Sequence, residues 1–311
     1  MQVMRHISLL PYTNYRIGGP ADYFIRATTV RDIGNVAARA ERMRASLFIL
    51  GGGTNILVGD AGVRGIVLKP EFDTLSVQGL RVTAGAGVLM EEVVSRAAQH
   101  GLSGLEWAGG LPGTVGGAVR GNAGAFGGET KDLVETVVSV PLTPNPIPIL
   151  RARTACRFGY RMSVFKEMDG REVIMNVTFT LRPGDPARIR AASDEKIRYR
   201  TERHPMEYPN IGSVFKNVDV RKVPQRFQRE FAHIIKTDPF SVVPTAYLLN
   251  EAGLKGVSAG GAMFSPKHPN FIVNVLAARA ADVKTLIALA KFRIKERFGI
   301  ILEEEIIYVG A

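Results

Sequence analysis

Three glycine-rich stretches have the residue types and spacing to do chemistry: LGGGTNILV at residues 50–58, TAGAGVLM at 83–90 and AGGLPGTVGGAVRGNAGAFGGE at 108–129. Glycine lets backbone N–H groups approach a phosphate closely and supplies positive φ where a turn needs it. The third stretch carries almost none of the Ser, Gln and Glu of a solvated tether, and Ala, Val, Leu and Phe fill its gaps, so it reads as buried. Buried backbone must find hydrogen-bond partners, and a bound ligand is one such partner. Each cluster alone reads as a tight turn; three of them, at strand ends, point to one anionic ligand.

The dinucleotide fingerprints do not fit. TAGAGVLM follows a strand and opens a helix, but Met90 occupies the third glycine position and no ribose-binding acid clearly follows. No GxxxxGK[ST] occurs, which excludes a P-loop nucleotidase at motif level.

The chain that must position these clusters has 311 residues, 46% hydrophobic and 22% charged, enough for roughly two or three domains with a full core. The single Cys156 excludes an intramolecular disulfide framework and any multi-cysteine metal site, so no metal and a cytoplasmic location are expected. No apolar run reaches the length of a signal h-region or of a membrane span, so no membrane insertion is expected. The formal charge of +11 suits an anionic partner, whether a phosphorylated small molecule, a nucleic acid or a membrane surface, and charge alone does not choose among them.

Patterning predicts strands at DYFIRATTV, SLFILGG, GIVLKP and LSVQGLRVTAGAG, with helices at RDIGNVAARAERMRA and VLMEEVVSRAAQHG. Beyond the glycine segment, LVETVVSVPL and REVIMNVTFTLRP read as β structure, and ARIRAASDEKIRYRTERHP as a helix stopped by Pro205. The organisation changes near residue 199, after which TAYLLNEAGLKG and ADVKTLIALAKFRIKERFG read as helices and NFIVNVL and EIIYVG as strands. There is no internal repeat, and the mixture indicates an α+β fold.

LGGGTN, GLEWAGGLPGTVGGAVRGNAGAFGGE, CRFGYRMSVFK, EYPNIGSVFKN and LEEEIIYVG, in that order, resemble the UDP-N-acetylenolpyruvoylglucosamine reductases of peptidoglycan synthesis. The match runs from about Asn14 to Gly310. It implies an FAD-binding fold of the vanillyl-alcohol-oxidase/PCMH type in two α+β subdomains, 1–70 (with strand 306–311 returning to it) and 71–198, and an α+β substrate-binding domain at 199–305. It also implies non-covalent FAD, NADPH as co-substrate, UDP-N-acetylglucosamine enolpyruvate as substrate, and a monomer. Gly51, Gly52, Gly53, Thr54 and Asn55 would form one wall of the FAD pyrophosphate cradle. Gly113, Thr114, Gly117, Ala118, Asn122, Gly124 and Ala125 would form the other.

Hydride delivery to an enolpyruvyl carbon pushes negative charge into the substrate carboxylate, which a planar guanidinium can hold with two hydrogen bonds, and Arg161 in FGYRMS matches that role. The resemblance makes Ser213 in NIGSVFKN the proton donor and Glu305 the catalytic glutamate, with Lys216 and Asn217 toward substrate. Arg203, His204 and Pro205 stand where relatives carry Lys-Gln-Pro, so Arg203 would contact phosphate, with Tyr208 on the same loop. His268 has no role in such a mechanism and reads as structural.

Two departures stand out. Residues 177–212 leave no room for the additional subdomain with a substrate-covering tyrosine found in one subgroup, so the chain resembles the compact second subgroup. The basic insert at 218–244 is long, and is expected to fold over the substrate entrance; Ser258 lies where relatives carry an arginine-containing loop. The competing readings are another FAD oxidoreductase or oxidase of the same superfamily, which the PGxxGG-type loop does not exclude, and a nucleic-acid-binding protein, against which the lack of any recognisable RNA or DNA motif speaks.

Overall fold

The computed structural model describes residues 2–168, 170–237 and 240–310. The chain forms two compact units: the first holds residues up to Ile7, Ala21–Gly52 and Val63–Arg200, the second Ser8–Pro20, Gly53–Gly62 and the chain from Thr201 onward. Contacts thus join most of residues 21–70 to 71–198, while residues 53–62 go with the C-terminal part. The physical reason is a strand pairing: Ile307–Val309 runs parallel to Ile56–Val58, with Gly59 N–H donating to Val309 O at 2.8 Å.

In the first unit, a four-stranded sheet has the order Val3–Ser8, Pro20–Ala27, Val63–Pro70, Leu47–Ile49. Val63–Pro70 lies between two parallel partners, which explains its nearly continuous apolar composition. It also separates the strands of the β-α-β unit visible in the sequence. The intervening helix Val30–Met43 is started by a capping box between Thr29 and Asp32, and buries Ile33, Val36 and Ala37. A five-stranded antiparallel sheet follows in the order Ile149–Ala152, Val134–Pro141, Glu172–Thr180, Arg81–Gly85, Leu75–Gln78. One core runs through both sheets and includes Phe179, Trp107 and Cys156. Burial pushes the Cys156 thiol up to about 11, so it behaves as a small apolar side chain.

The polar helix Pro186–Arg203 buries only Ile189 and Ser193. It is held by close approach to the glycine segment instead: a Cβ on Gly109 would stand 2.5 Å from Ser193 O, and Arg200 Nε donates to Gly109 O at 3.0 Å.

The second unit is organised by the helix Ala280–Phe298, whose buried Val283, Leu286, Ile287, Ala290, Ile294 and Phe298 follow helical spacing. Gly299, at φ +68°, closes it by donating to Lys295 O at 2.8 Å. A three-stranded sheet of Ser258–Ala259, Ala262–Phe264 and Ile272–Asn274 packs beside it. The insert is pinned at its base, where Val218–Asp219 pairs antiparallel with Val242–Val243. It is also anchored inward. Phe231 is fully buried, stacks on Phe227 at 5.6 Å, and meets Phe298 and Tyr247 edge-on. The insert thus contributes Phe231 and Val223 to the unit's core.

Among the described residues no helix is long and apolar enough to cross a membrane, and no three His, Cys, Asp or Glu side chains are placed to share a metal. Phe231→Ala is expected to destabilise the protein by about 3–5 kcal/mol, read as a lowered denaturation midpoint, because the aromatic cluster cannot collapse onto the vacated volume.

Candidate functional site

In the first unit the first and third glycine clusters meet. A Cβ on Gly52 would stand 2.9 Å from Gly113 Cα and 3.2 Å from Thr114 N, and one on Gly51 would stand 3.2 Å from Thr114 Oγ1. Only glycine permits these backbones to lie so close. Thr114 caps the short helix Val115–Gly121, its Oγ1 accepting from Gly117 N–H at 3.4 Å, and Ala118 N–H donates to Thr114 O at 2.9 Å.

The middle cluster buttresses this arrangement. Val115 and Gly116 donate to Val88 O and Ala86 O at 2.9 and 3.0 Å, so TAGAGVLM consumes the first donors of the glycine helix. Elsewhere the donors are left open. Among the described residues, the N–H groups of residues 51–55, 113 and 114 meet no protein acceptor. In the first unit the open donors of Gly51, Gly52, Gly113 and Thr114 lie together and form an anion-binding concavity. Lys69 adds charge: its Nζ donates to Gly51 O at 3.2 Å, and burial pushes its ammonium down. It went unremarked in the sequence, although a lysine inside the buried run GIVLKP was the available signal.

Asn122 is fully buried, with its amide spent inside the protein: Nδ2 donates to Gly159 O at 2.9 Å and Oδ1 accepts from Lys131 N–H at 3.0 Å. It holds the end of the glycine helix in place. Gly124–Ala125 pairs with Gly128–Glu129 across a two-residue turn of Phe126 and Gly127 at φ +51° and +82°. A phenylalanine there is strained, and it is held by Tyr199 edge-on at 5.2 Å and by the cations of Lys196 and Arg200 at 5.4 and 5.1 Å from its ring. Arg161 arrives at the same hairpin. At φ +54° on its own turn, it donates from Nη2 to Gly124 O at 3.0 Å, with its guanidinium over the Tyr160 ring.

In the second unit, Gly53 has φ +66°, and a Cβ on it would stand 2.1 Å from Tyr12 O. The Asn55 side chain donates to Glu305 O at 3.0 Å, tying the LGGGTN turn to the C-terminal segment. That segment runs beside the Ser213 block: Glu305 N–H donates to Val214 O at 2.8 Å and Lys216 N–H to Glu303 O at 2.9 Å. On the other side, buried Asn270 accepts Phe215 N–H at Oδ1 (3.1 Å), returns a bond from Nδ2 to Phe215 O (2.9 Å), and accepts Val214 N–H at its carbonyl (2.8 Å). Asn210 accepts Gly212 N–H at 3.0 Å and donates to Pro205 O and Tyr208 O, which joins the loop after Arg203 to the same segment.

Ser213 therefore sits in fixed backbone, beside the residues that precede Glu305. Among the described residues no protein group hydrogen-bonds its hydroxyl. Asn217 Oδ1 accepts Thr245 N–H at 3.2 Å, while Tyr208 is 40% exposed and presents its ring outward. Ser258 is exposed at the edge of the three-stranded sheet, where its side chain donates to Gly256 O. Asn210 and Asn270, which hold the Ser213 segment, carry no signal in the sequence: Asn210 acts within an irregular loop and Asn270 on a residue 55 positions away. Arg161 and the cradle glycines 51, 52 and 113–125 belong to the first unit; Arg203, Tyr208, Ser213, Lys216, Asn217, Glu305 and residues 53–55 belong to the second.

His268 packs edge-on against His204 at 5.4 Å and Phe271 at 4.9 Å, and its Nδ1 is buried without a partner. Burial pushes its imidazole down to about 4, which fits a structural role.

Two predictions follow from this geometry. Gly52→Ala is expected to force the cradle walls apart and weaken flavin retention by about ten-fold or more, measured as flavin content and affinity of the folded protein. Stability is expected to fall as pH drops from about 6.5 toward 4, because the unfolded chain takes a proton that folded His268 refuses; His268→Leu should shrink that drop, measured as the difference in Tm between pH 7 and pH 5.

The residues present fit a diphosphate-bearing cofactor, and comparison with known proteins agrees. A family model described as FAD binding domain matches residues 21–143, and one described as UDP-N-acetylenolpyruvoylglucosamine reductase, C-terminal domain, matches residues 204–309. The UDP-N-acetylenolpyruvoylglucosamine reductase of Pediococcus pentosaceus is 36% identical over 315 residues, covering 100% of this chain and 95% of that protein. That of Solibacter usitatus is 35% identical, covering 96% and 94%. The crystal structure of the Thermus caldophilus enzyme superposes with a TM-score of 0.78 at 31% identity, covering 99% of both chains. The chain, with its FAD-binding domain and its clamped serine segment, belongs to the UDP-N-acetylenolpyruvoylglucosamine reductase family.

Proposed function

We propose that this protein uses NADPH to reduce UDP-N-acetylglucosamine enolpyruvate to UDP-N-acetylmuramate, as a monomeric cytoplasmic enzyme of peptidoglycan precursor synthesis. The observation that carries the reading is Ser213: fixed by Asn270 and by the Glu305 segment, with its hydroxyl uncommitted within the protein. An ordinary structural serine caps a helix or satisfies a turn. This one is held ready for a partner from outside.

The open N–H groups of residues 51–55, 113 and 114, with Lys69 behind Gly51, would hold the FAD pyrophosphate. FAD, when bound, supplies the hydride that NADPH has delivered to it. The remaining chemistry falls to the chain. Arg161 takes up negative charge developing on the substrate carboxylate, a role that suits the fork of donors on a guanidinium. Ser213 Oγ gives its proton to the carbon adjacent to that carboxylate, and Glu305 assists at the enolate stage. Arg203, Tyr208, Lys216 and Asn217 bind the UDP-sugar, with Arg203 as a phosphate ligand. Charge balances: the substrate gains one hydride and one proton, and the serine regains its proton from solvent.

Ser213→Ala separates the half-reactions. Flavin bleaching by NADPH is expected to stay within about two-fold of wild type, while product formation falls by about two orders of magnitude or more, measured by anaerobic stopped-flow. Equal loss of both rates would remove Ser213 from its assigned role.

A further inference from the structure

Glu303 carries two cations. Lys216 Nζ lies 3.3 Å from Glu303 Oε2, and Lys222 Nζ is hydrogen-bonded to Glu303 Oε1. Lys216 is the more enclosed, at 26% side-chain exposure against 61% for Lys222, and its backbone N–H is also bonded to Glu303 O. Lys222 comes from the insert. Its position is set by the base of that insert: Asp219 caps the turn Val220–Lys222 by accepting from Arg221 N–H at 2.9 Å, and Val220 N–H donates to Ser241 O at 3.1 Å. Phe231 then anchors the remainder in the core.

We propose that Lys222 is a positioning residue for the substrate's diphosphate: by holding Glu303, it leaves the Lys216 ammonium available to an incoming anion. This rests on the reading of the chain as a reductase of a UDP-linked sugar.

The physical argument is a competition for one carboxylate. With Lys222 present, the cluster has a positive charge in excess, and Lys216 can turn to a phosphate while Glu303 stays satisfied. Without Lys222, Glu303 and Lys216 neutralise each other, and drawing Lys216 to phosphate strands the carboxylate. A partly exposed ion pair of this kind alters affinity modestly and is screened by salt. The two ammoniums hold Glu303 below the usual carboxylate range, so the competition operates throughout neutral pH.

The test is steady-state and half-reaction kinetics on Lys222→Ala, Lys222→Arg and the pair Lys222→Ala with Glu303→Gln. For Lys222→Ala the KM for UDP-N-acetylglucosamine enolpyruvate is expected to rise about five-fold at low salt, with kcat within about two-fold and flavin bleaching by NADPH unchanged. Lys222→Arg should keep the wild-type KM, and adding Glu303→Gln to Lys222→Ala should bring KM back toward wild type, since the competing charge is gone. A merely structural role for Lys222 would not be rescued by removing its partner. An unchanged KM in Lys222→Ala, or a double variant as weak as the single one, overturns the proposal. Wild-type protein whose reduced flavin ignores the enolpyruvyl sugar overturns the functional reading itself.

Discussion

Backbone N–H groups that a protein leaves unpaired at a half-buried turn must be met by something else, and those of Gly51, Gly52, Gly113 and Thr114 are the constraint around which the first unit is arranged. It explains the glycines. Gly51 and Gly52 let one strand-end turn lie against Gly113 and Thr114, and Gly53 lets the chain pass the carbonyl of Tyr12. It also explains the middle cluster, which takes the donors of Val115 and Gly116 and so sets the glycine helix where Thr114 faces the turn. An anion held by fixed dipoles needs little reorganisation on binding, which is what a tightly retained diphosphate cofactor requires.

The second unit solves a different problem, that of immobilising a hydroxyl without consuming it. Asn270 uses its main chain and both ends of its amide on the residues after Ser213, Asn210 fixes those before it, and the segment 303–305 closes the other edge. The side chain of Asn55 joins that edge to the LGGGTN turn. The insert contributes to the same neighbourhood through Lys222 while being rooted in the core by Phe231.

Much of this was legible in the sequence, and the remainder was not for identifiable reasons. The helices Val30–Met43 and Ala280–Phe298 carry apolar residues at helical spacing and end on left-handed residues, signals contained within each segment. The glycine clusters were visible as a recurrence at strand ends, a pattern carried by composition alone. The placement of Val63–Pro70 between Pro20–Ala27 and Leu47–Ile49 was hidden, because parallel order is decided by pairings far apart in the chain. The first strand, Val3–Ser8, carries no alternating apolar pattern, since as an edge strand it buries little. Phe231 was masked by its charged neighbours, and Asn270 acts on residues more than fifty positions away.

The measurement that tests the central claim most directly is the visible absorption spectrum of the purified protein under anaerobic conditions, recorded before and after NADPH and then after UDP-N-acetylglucosamine enolpyruvate. The account predicts a yellow protein that bleaches with NADPH and regains its colour on addition of the enolpyruvyl sugar. A colourless protein that cannot be reconstituted with FAD, or a flavin that bleaches and recovers only with oxygen, would contradict it.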